Sequence, residues 1–334
     1  RVFEVLQGTV PAPCILSDKR CFLLYFLSPV EIVFEDGKPA RPHDSTGIRA
    51  LKAGSWQSQS IVALSASILA KCFMLTLTTP LLNSYAACQP GSLPPFHCLP
   101  ERPGHILATT FLNNWLATWP FYLFLSGVTD TISLVAAIFG LQCVVTFRNP
   151  LLFPSSPHDF WARRWNMVVH GLIRRSCFRP LLNALGPATI PRKGTAPTGV
   201  VAEASSGSTG KGDNHKNRFG VRALAVKVFA AMLSFAFSGI MHEYVCATAF
   251  PMELHRHTVG LQLHFFLWQG YLTSLELALR HLTGFNPASM PWPLTSLATM
   301  AMLTPSAHLF FEPFRQGGFI TTLLEMVPQM QIQV

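Results

Sequence analysis

The residues best suited to chemistry are an ionisable pair, His242 and Glu243, inside the apolar run Ala223–Phe250. An unpaired charge within a bilayer costs at least ~2.5–3.5 kcal/mol, so ionisable residues at such a depth are functional by default. A neutral imidazole there could take a proton from a hydroxyl group near physiological pH. A core histidine bonded to a neighbouring helix is the structural alternative, and the His242 pattern alone leaves both open.

A second cluster combines aromatic and basic residues in the stretch Phe160-Trp161-Ala162-Arg163-Arg164-Trp165-Asn166. Its arginines could bind phosphate groups through planar, bidentate donors. They could instead anchor the chain to lipid headgroups, and charge alone favours this second interpretation.

A metal site is not predicted. Cys246 stands where the zinc-protease pattern H-E-x-x-H, begun by His242 and Glu243, requires its second histidine. His255 and His257 are separated by one residue, but no third ligand lies close to them in the sequence.

The composition indicates an integral membrane protein. Of the 334 residues 49% are hydrophobic and only 12% are charged, whereas a soluble domain carries roughly 25% charged residues. The mean hydropathy is +0.33. Backbone groups in lipid must be satisfied within the segment, so we expect the spanning segments to be helices, which makes the fold all-α and polytopic. The candidate spans are Ser60–Leu82, His105–Gly127, Thr131–Phe147, Ala223–Phe250, Leu261–Leu282 and Trp292–Phe311.

Positive charge is concentrated between Arg148 and Arg222, where 12 Lys and Arg face three acidic residues. By the positive-inside rule this segment, 148–222, is expected to be cytosolic. Within it, residues 186–220 are rich in Gly, Ser, Thr and Lys, a composition that predicts a disordered loop. Cys88 and Cys98 flank a Pro-rich loop and could pair if it were lumenal, although free thiols are favoured.

Between Asp159 and about Leu182 the sequence has helical periodicity. It predicts one amphipathic helix at the membrane interface. The apolar face would carry Trp161, Trp165, Val168, Val169, Leu172 and Ile173, and the polar face Arg163, Asn166, His170 and Arg174.

The aromatic and arginine cluster, preceded by Phe147-Arg148-Asn149-Pro150-Leu151, resembles the F-W-G-R-R-W-N/H pattern of the wax synthases. These enzymes are a branch of the membrane-bound O-acyltransferases. Ser238-Gly239-Ile240-Met241-His242-Glu243 resembles the S-G-x-x-H-E helix that carries the family histidine. Ala162 replaces the usual glycine. The resemblance extends over about 147–311, which predicts an N-terminal transmembrane part, 1–147, and an acyltransferase region, 148–334. Because the sequence opens at Arg1 rather than Met, we expect the N-terminal part to be truncated at its start.

The resemblance implies a helix bundle around a buried reaction chamber, in which a fatty acyl group passes from acyl-CoA to the hydroxyl of a lipophilic alcohol. The products would be a wax-type ester and CoA. His242 would be the general base, and Asn166 would orient the thioester or bind the oxyanion. Arg163 and Arg164 would lie near the CoA phosphates. Phe160, Trp165 and Glu243 would also contact substrate.

The same resemblance implies acyl-CoA as co-substrate with no bound cofactor, membrane lipids as surroundings, the endoplasmic reticulum as location, and no nucleic-acid partner. Transfer of an acetyl group to a terpenoid or sterol hydroxyl is the alternative within the class. From another class, a proton-coupled transporter would use His242 and Glu243 as a relay. A noncatalytic protein that keeps the scaffold for binding is a third alternative, disfavoured by intact Asn166 and His242.

Overall fold

The computed structural model describes residues 12–28, 30–35, 38–41, 60–86, 106–185, 213–251, 256–318 and 322. Two parts of the sequence interpretation therefore lie outside the described residues: most of the polar loop, 186–212, and the cysteine pair at 88 and 98. The last eight residues of the predicted loop, 213–220, are described, and they form the first turns of a helix.

The described chain is almost entirely helical. The helices before the aromatic cluster are α1 Ala12–Ser17, α2 Lys19–Leu27, α3 Ile61–Ala86 and α4 Ile106–Ile138, with a two-stranded antiparallel hairpin of β1 Phe34–Glu35 and β2 Lys38–Pro39 after α2. The cluster region contains α5 Pro157–Asp159, a π-helical turn Phe160–Arg164, α6 Met167–Ile173, a second π-helical turn Arg174–Phe178 and α7 Arg179–Leu185. The C-terminal part contains α8 Asp213–Ala249, α9 Leu261–Thr283, α10 Trp292–Leu303 and α11 Ala307–Gln316, with 3₁₀ turns at Pro287–Ser289 and Thr304–Ser306.

Three of these helices contain segments long and apolar enough to cross a membrane: Ile61–Thr78 in α3, Asn114–Ile138 in α4 and Gly220–Ala249 in α8. The all-α prediction is confirmed. The prediction of separate spans at His105–Gly127 and Thr131–Phe147 is wrong, because α4 runs without interruption to Ile138. The chain then leaves the helix through Gly140, whose φ of 74° suits glycine.

Helices α8 and α9 form the closest packing in the described chain. A Cβ added to Gly239 would lie 2.8 Å from the Cα of Leu263, so only glycine lets the two backbones approach this closely. Farther along, a Cβ added to Gly270 of α9 would lie 3.0 Å from the Cβ of Phe235 on α8. Small residues are the usual means of helix association in lipid, where burial of apolar surface supplies no driving force. Gly239 and Gly270 thus allow α8 and α9 to pack closely.

The predicted span Trp292–Phe311 is not one helix. The 3₁₀ turn at Thr304–Ser306, which contains Pro305, divides it into α10 and α11. Buried amides from two other helices bond to this break: Asn114 Nδ2 donates to Thr304 O at 3.1 Å, and Gln269 Nε2 donates to Ser306 Oγ at 2.8 Å. Because a proline turn leaves backbone carbonyls without helical partners, such amides stabilise the break in an apolar interior.

Replacement of Gly239 by alanine is expected to destabilise the protein. The new methyl group would meet a backbone atom, which cannot rotate away, and overpacking of this kind costs about 1–3 kcal/mol. Gly127 is a matched control within α4, since a Cβ there meets nothing within 4 Å. Thermal unfolding in detergent should show a lower Tm for Gly239→Ala and an unchanged or higher Tm for Gly127→Ala. Equal Tm values for both variants would contradict the close α8–α9 contact.

Candidate functional site

The aromatic and arginine cluster forms a sharp bend rather than a straight helix. Ser156 caps α5 by accepting from Asp159 N at 3.1 Å, and Pro157 occupies the first turn. The following residues form a π-helical turn, closed by Trp165 N donating to Phe160 O at 2.8 Å. Trp165 is then extended and Asn166 adopts the left-handed conformation, with φ 43° and ψ 68°. Short π-helical turns are frequent at functional sites.

The predicted amphipathic helix from Asp159 to about Leu182 is therefore wrong as a single element. The extended Trp165 and left-handed Asn166 end the first helical segment and begin α6 in a new direction. A second π-helical turn at Arg174–Phe178 shifts the phase again. Side chains counted onto one face by a period of 3.6 residues do not share a face across such interruptions.

The extended segment before α5 holds the bend on both sides. Arg148 N donates to Arg164 O at 2.9 Å, and Met167 N donates to Thr146 O at 2.8 Å. Phe147, between them, packs edge-on against the Trp165 ring at 5.3 Å between centroids. The two parts of the motif are thus neighbours in space, which explains why the sequence carries both.

Phe160 and Trp165 form the interior of the bend. Phe160 is buried and stacks on Trp165, with ring centroids 5.4 Å apart and planes 17° apart. Trp161 points toward α9, where its Nε1 donates to Gln269 Oε1 at 3.3 Å. Phe160 and Trp165 were predicted to contact substrate; their described contacts are with the protein core, and a substrate role for them stays a prediction.

Asn166 is the N-cap of α6. Its Oδ1 accepts a hydrogen bond from Val169 N at 3.2 Å, and its left-handed backbone is one that asparagine tolerates better than most residues. Its Nδ2 group forms no hydrogen bond with the described residues. Asn166 therefore combines a structural oxygen with a nitrogen donor that remains available for a ligand.

The two predicted phosphate ligands differ in their surroundings. Arg163 is exposed. Arg164 forms an ion pair with Asp159, from Nε to Oδ2 at 2.6 Å, and both side chains are largely buried. Arg148 lies beside this pair: burial, assisted by the positive charge of Arg164, lowers the pKa of its guanidinium, and its buried Nε has no partner among the described residues. Arg163 is thus free to meet an anion, whereas Arg164 is committed to the bend.

His242 lies on α8 with its ring packed between aromatic side chains of two other helices. The ring centroid is 4.5 Å from that of Phe266 on α9 and 5.8 Å from that of Phe310 on α11. Nδ1 lies 2.8 Å from Ser238 O. A carbonyl oxygen can only accept, so Nδ1 must carry the proton, and Nε2 keeps its lone pair in the neutral ring. Nε2 has no hydrogen bond within the described chain, and it is the nitrogen able to act as a base.

Glu243 joins α8 to the start of α9 through its carboxylate. Its Oε1 accepts from two backbone N–H groups at the start of α9, Gln262 N at 2.9 Å and Leu263 N at 3.2 Å. Gly260, the N-cap residue of α9, has no side chain to do this. A carboxylate at a helix N-terminus also interacts favourably with the helix dipole. Glu243 therefore fixes α9 to α8 one residue from His242, and a contact with substrate stays a prediction.

The bend and His242 meet through one shared side chain. The Phe266 ring centroid is 4.5 Å from that of His242 and 5.9 Å from that of Trp161, so one side chain contacts both the histidine and the bend. No hydrogen bond joins His242 to Asn166 in the described residues.

Several buried polar residues were not identified by the sequence analysis. Gln262 and Gln269 are fully buried on α9, where Gln262 Nε2 donates to Phe310 O at 2.7 Å. The two residues are seven apart and lie on one helix face, so amides at a heptad spacing within an apolar run were the available signal. Lys71 on α3 forms an ion pair with Asp130 on α4, inside two candidate spans.

The chain matches two curated proteins of Arabidopsis thaliana. It is 28% identical over 199 residues to "Acyl-CoA--sterol O-acyltransferase 1", a match that covers 58% of this chain and 46% of the relative. It is 24% identical over 207 residues to "Probable long-chain-alcohol O-fatty-acyltransferase 8", covering 60% and 48%. The chain is similar to O-acyltransferases. The resemblance inferred from the two motifs is thereby confirmed.

These matches cover only part of each relative, which limits the conclusions that they support. The chain spans about half the length of the curated relatives it matches. No family model matches the chain. The similarity to O-acyltransferases therefore supports the motif-based interpretation without assigning a substrate.

Replacement of Glu243 separates its cap function from a contact with substrate. Glu243→Ala leaves two N–H groups without partners, which costs about 1–3 kcal/mol for a buried group, whereas Glu243→Gln keeps an accepting oxygen and loses only the charge. Thermal unfolding in detergent should give the highest Tm for wild type, a lower Tm for Glu243→Gln and the lowest Tm for Glu243→Ala. An alanine variant with normal Tm and no activity would instead show that Glu243 acts on substrate.

Acid should destabilise the region around α6 through His170. Burial, assisted by the positive charges of Arg174 and His158, lowers the pKa of His170 from 6.5 to about 4. The folded protein thus favours the neutral ring. Above pH 6.5 the ring is neutral in both states; below it the unfolded state binds a proton that the folded state does not, and stability falls until about pH 4.

The His170→Gln variant should therefore lose less stability than wild type between pH 7 and pH 4.5, as measured by Tm in detergent at each pH. His308→Gln is the control, since His308 is exposed on α11. Parallel pH profiles for His170→Gln and wild type would contradict a half-buried His170 that stays neutral in the folded protein.

Proposed function

We propose that the protein is a membrane-bound acyl-CoA-dependent O-acyltransferase that esterifies the hydroxyl of a lipophilic alcohol. The observation that carries the proposal is the state of His242, a base held in an aromatic environment with Nδ1–H bonded to Ser238 O and Nε2 free. The similarity to two curated proteins named as O-acyltransferases supports the same reaction class. The motifs support the wax synthase branch of the family.

In the proposed reaction His242 Nε2 removes the hydroxyl proton while the alcohol oxygen attacks the thioester carbonyl carbon. The tetrahedral intermediate carries the negative charge on the former carbonyl oxygen, and the Nδ2 group of Asn166 donates to that oxygen or orients the thioester. The carbon–sulfur bond then breaks, and the CoA sulfur takes the proton from His242. The Nδ1–H bond to Ser238 persists throughout, so it orients the ring in both protonation states.

The acyl-CoA is proposed to approach from the cytosolic side, where Arg163 is exposed and can bind phosphate oxygens. Arg164 contributes by keeping the bend in shape through Asp159, 2.6 Å from its Nε. The positive charge of the 148–222 segment supports its proposed cytosolic orientation. The proposed location in the endoplasmic reticulum membrane rests on the resemblance to the wax synthases.

The acceptor is proposed to be a long-chain alcohol, with a sterol as the alternative because one relative is named for sterol acylation. A proton-coupled transporter is disfavoured by Glu243, whose carboxylate is committed to the N-terminus of α9 and is not placed as a relay partner of His242.

The reaction is tested by assaying membranes from yeast expressing the protein with radiolabelled acyl-CoA and either a long-chain alcohol or a sterol. Ester formation above that of vector membranes with one acceptor supports the proposal and names the acceptor. Membranes that contain the protein and form no ester with either acceptor would contradict it.

His242→Ala should lower the rate of ester formation at least ~100-fold, because general base catalysis is worth 10²- to 10⁴-fold. His308→Ala is a matched control: His308 also directs Nδ1 at a backbone carbonyl, Pro305 O at 2.8 Å, but its side chain is exposed. The measurement is initial rate per amount of membrane-inserted protein. A His242→Ala variant that keeps more than a tenth of the wild-type rate would reassign His242 to structure.

Asn166→Asp separates the two halves of the amide. Aspartate retains an oxygen to cap α6 and tolerates the left-handed conformation, so Tm should be nearly unchanged. It lacks the Nδ2 donor, so kcat should fall by roughly 100-fold, as on loss of an oxyanion donor. Asn166→Ala should lose both stability and rate. An aspartate variant with normal kcat would restrict Asn166 to its cap function.

A further inference from the structure

Helix α4 carries a polar stripe along its candidate span. Trp119, Tyr122, Ser126 and Asp130 follow one another at intervals of three or four residues, which places them on one helix face. Ser126 is fully buried and Tyr122 is 6% exposed. A helix that needed only to pack in lipid would present apolar or small residues there, so the stripe requires another explanation.

Two polar atoms of the stripe are buried without partners. Trp119 Nε1 and Ser126 Oγ have no hydrogen bond among the described residues. Ser126 lies near the Tyr122 side chain, but the contact does not have the geometry of a hydrogen bond. A buried polar group without a partner costs about 1–3 kcal/mol, and buried Trp N–H groups usually find an acceptor. The unpartnered donor and the unpartnered hydroxyl can each hydrogen-bond to an alcohol hydroxyl, which both accepts and donates.

Helix α3 covers one end of this stripe. Lys71 and Ser67 of α3 both bond to Asp130 Oδ2, with Ser67 Oγ at 2.7 Å. Leu75 of α3, one turn beyond Lys71, packs on the cluster that contains Tyr122. Ser126 lies between Tyr122 and Asp130 along α4, on the same helix face. Outward-facing α3 side chains such as Val62 and Leu69 are about three-quarters exposed, so α3 separates the stripe from lipid on this side.

The other end of the stripe reaches the candidate site. The Tyr122 ring contacts the rings of Phe147 at 5.8 Å and Trp165 at 6.5 Å, and Trp165 directly precedes Asn166. The stripe thus runs within the membrane from the Lys71–Asp130 ion pair to the bend.

We propose that the seam between α3 and α4, at Trp119 and Ser126, binds the hydroxyl group of the lipophilic acceptor on its way from lipid to the bend. Trp119 Nε1 would donate a hydrogen bond to the hydroxyl oxygen, and Ser126 Oγ would accept a hydrogen bond from the hydroxyl O–H. The two atoms lie about two helical turns apart, so they are successive positions of the hydroxyl rather than one site. The inference rests on the proposed acyl transfer, and it adds specificity-determining residues remote from His242.

Trp119→Phe and Ser126→Ala test the seam with little change in shape. Each substitution should raise KM for the alcohol about 2- to 10-fold, the effect of losing one hydrogen bond. KM for acyl-CoA should not change, and Tm should be unchanged or higher. The controls are Trp115→Phe and Ser133→Ala on the same helix; the Ser133 hydroxyl is bonded to Thr129 O at 2.9 Å. If the two atoms are merely unsatisfied, both substitutions raise Tm and leave both KM values unchanged, which overturns the proposal.

A direct label distinguishes failure of the seam from failure of the proposed function. A long-chain alcohol with a diazirine beside its hydroxyl should label peptides of α3 or α4 in wild-type membranes, and excess unlabelled alcohol should suppress the labelling. Ester formation with unchanged KM in both variants, or labelling elsewhere only, overturns the seam alone. If the membranes form no ester and show no labelling that excess unlabelled alcohol suppresses, both the proposed acyl transfer and the proposed seam are overturned.

Discussion

The close contact between α8 and α9 is the constraint on which the candidate site depends. Gly239 brings the two backbones together, and the carboxylate of Glu243 bonds to the first N–H groups of α9. His242 lies between these two fixed points in the sequence, so the contact sets where its ring stands. Phe266, one turn after the Leu263 contact, then packs on that ring. The position of the base follows from how two helices associate in lipid.

Buried amides connect this helix pair to the rest of the interior. Gln269 bonds both to the Trp161 side chain of the bend and to Ser306 in the break between α10 and α11. Asn114 of α4 bonds to the same break. Without an apolar driving force between helices, hydrogen bonds of this kind and close packing fix the relative positions of the elements. The bend, the histidine helix and the proline break are thus joined through a few side chains.

The fold class could be predicted from the sequence, whereas the local path of the chain around the candidate site could not. Composition and apolar runs were sufficient for an all-α membrane fold. The straight helix after Asp159 was wrong because periodicity cannot reveal a π-helical turn or a left-handed Asn166. The bonds from Glu243 to α9 could not be predicted, because the two N–H groups lie 19 and 20 residues farther along the chain and backbone donors carry no sequence signal.

The central claim is that His242 is held with its proton on Nδ1 and its lone pair on Nε2. Solid-state ¹⁵N NMR of histidine-labelled protein in lipid bilayers at neutral pH, with His242→Gln as the subtraction control, measures this directly. The account predicts that the signals lost on substitution are those of a protonated Nδ1 and an unprotonated Nε2. A neutral ring protonated on Nε2 instead would contradict the account, because that nitrogen could not then take a proton from an alcohol.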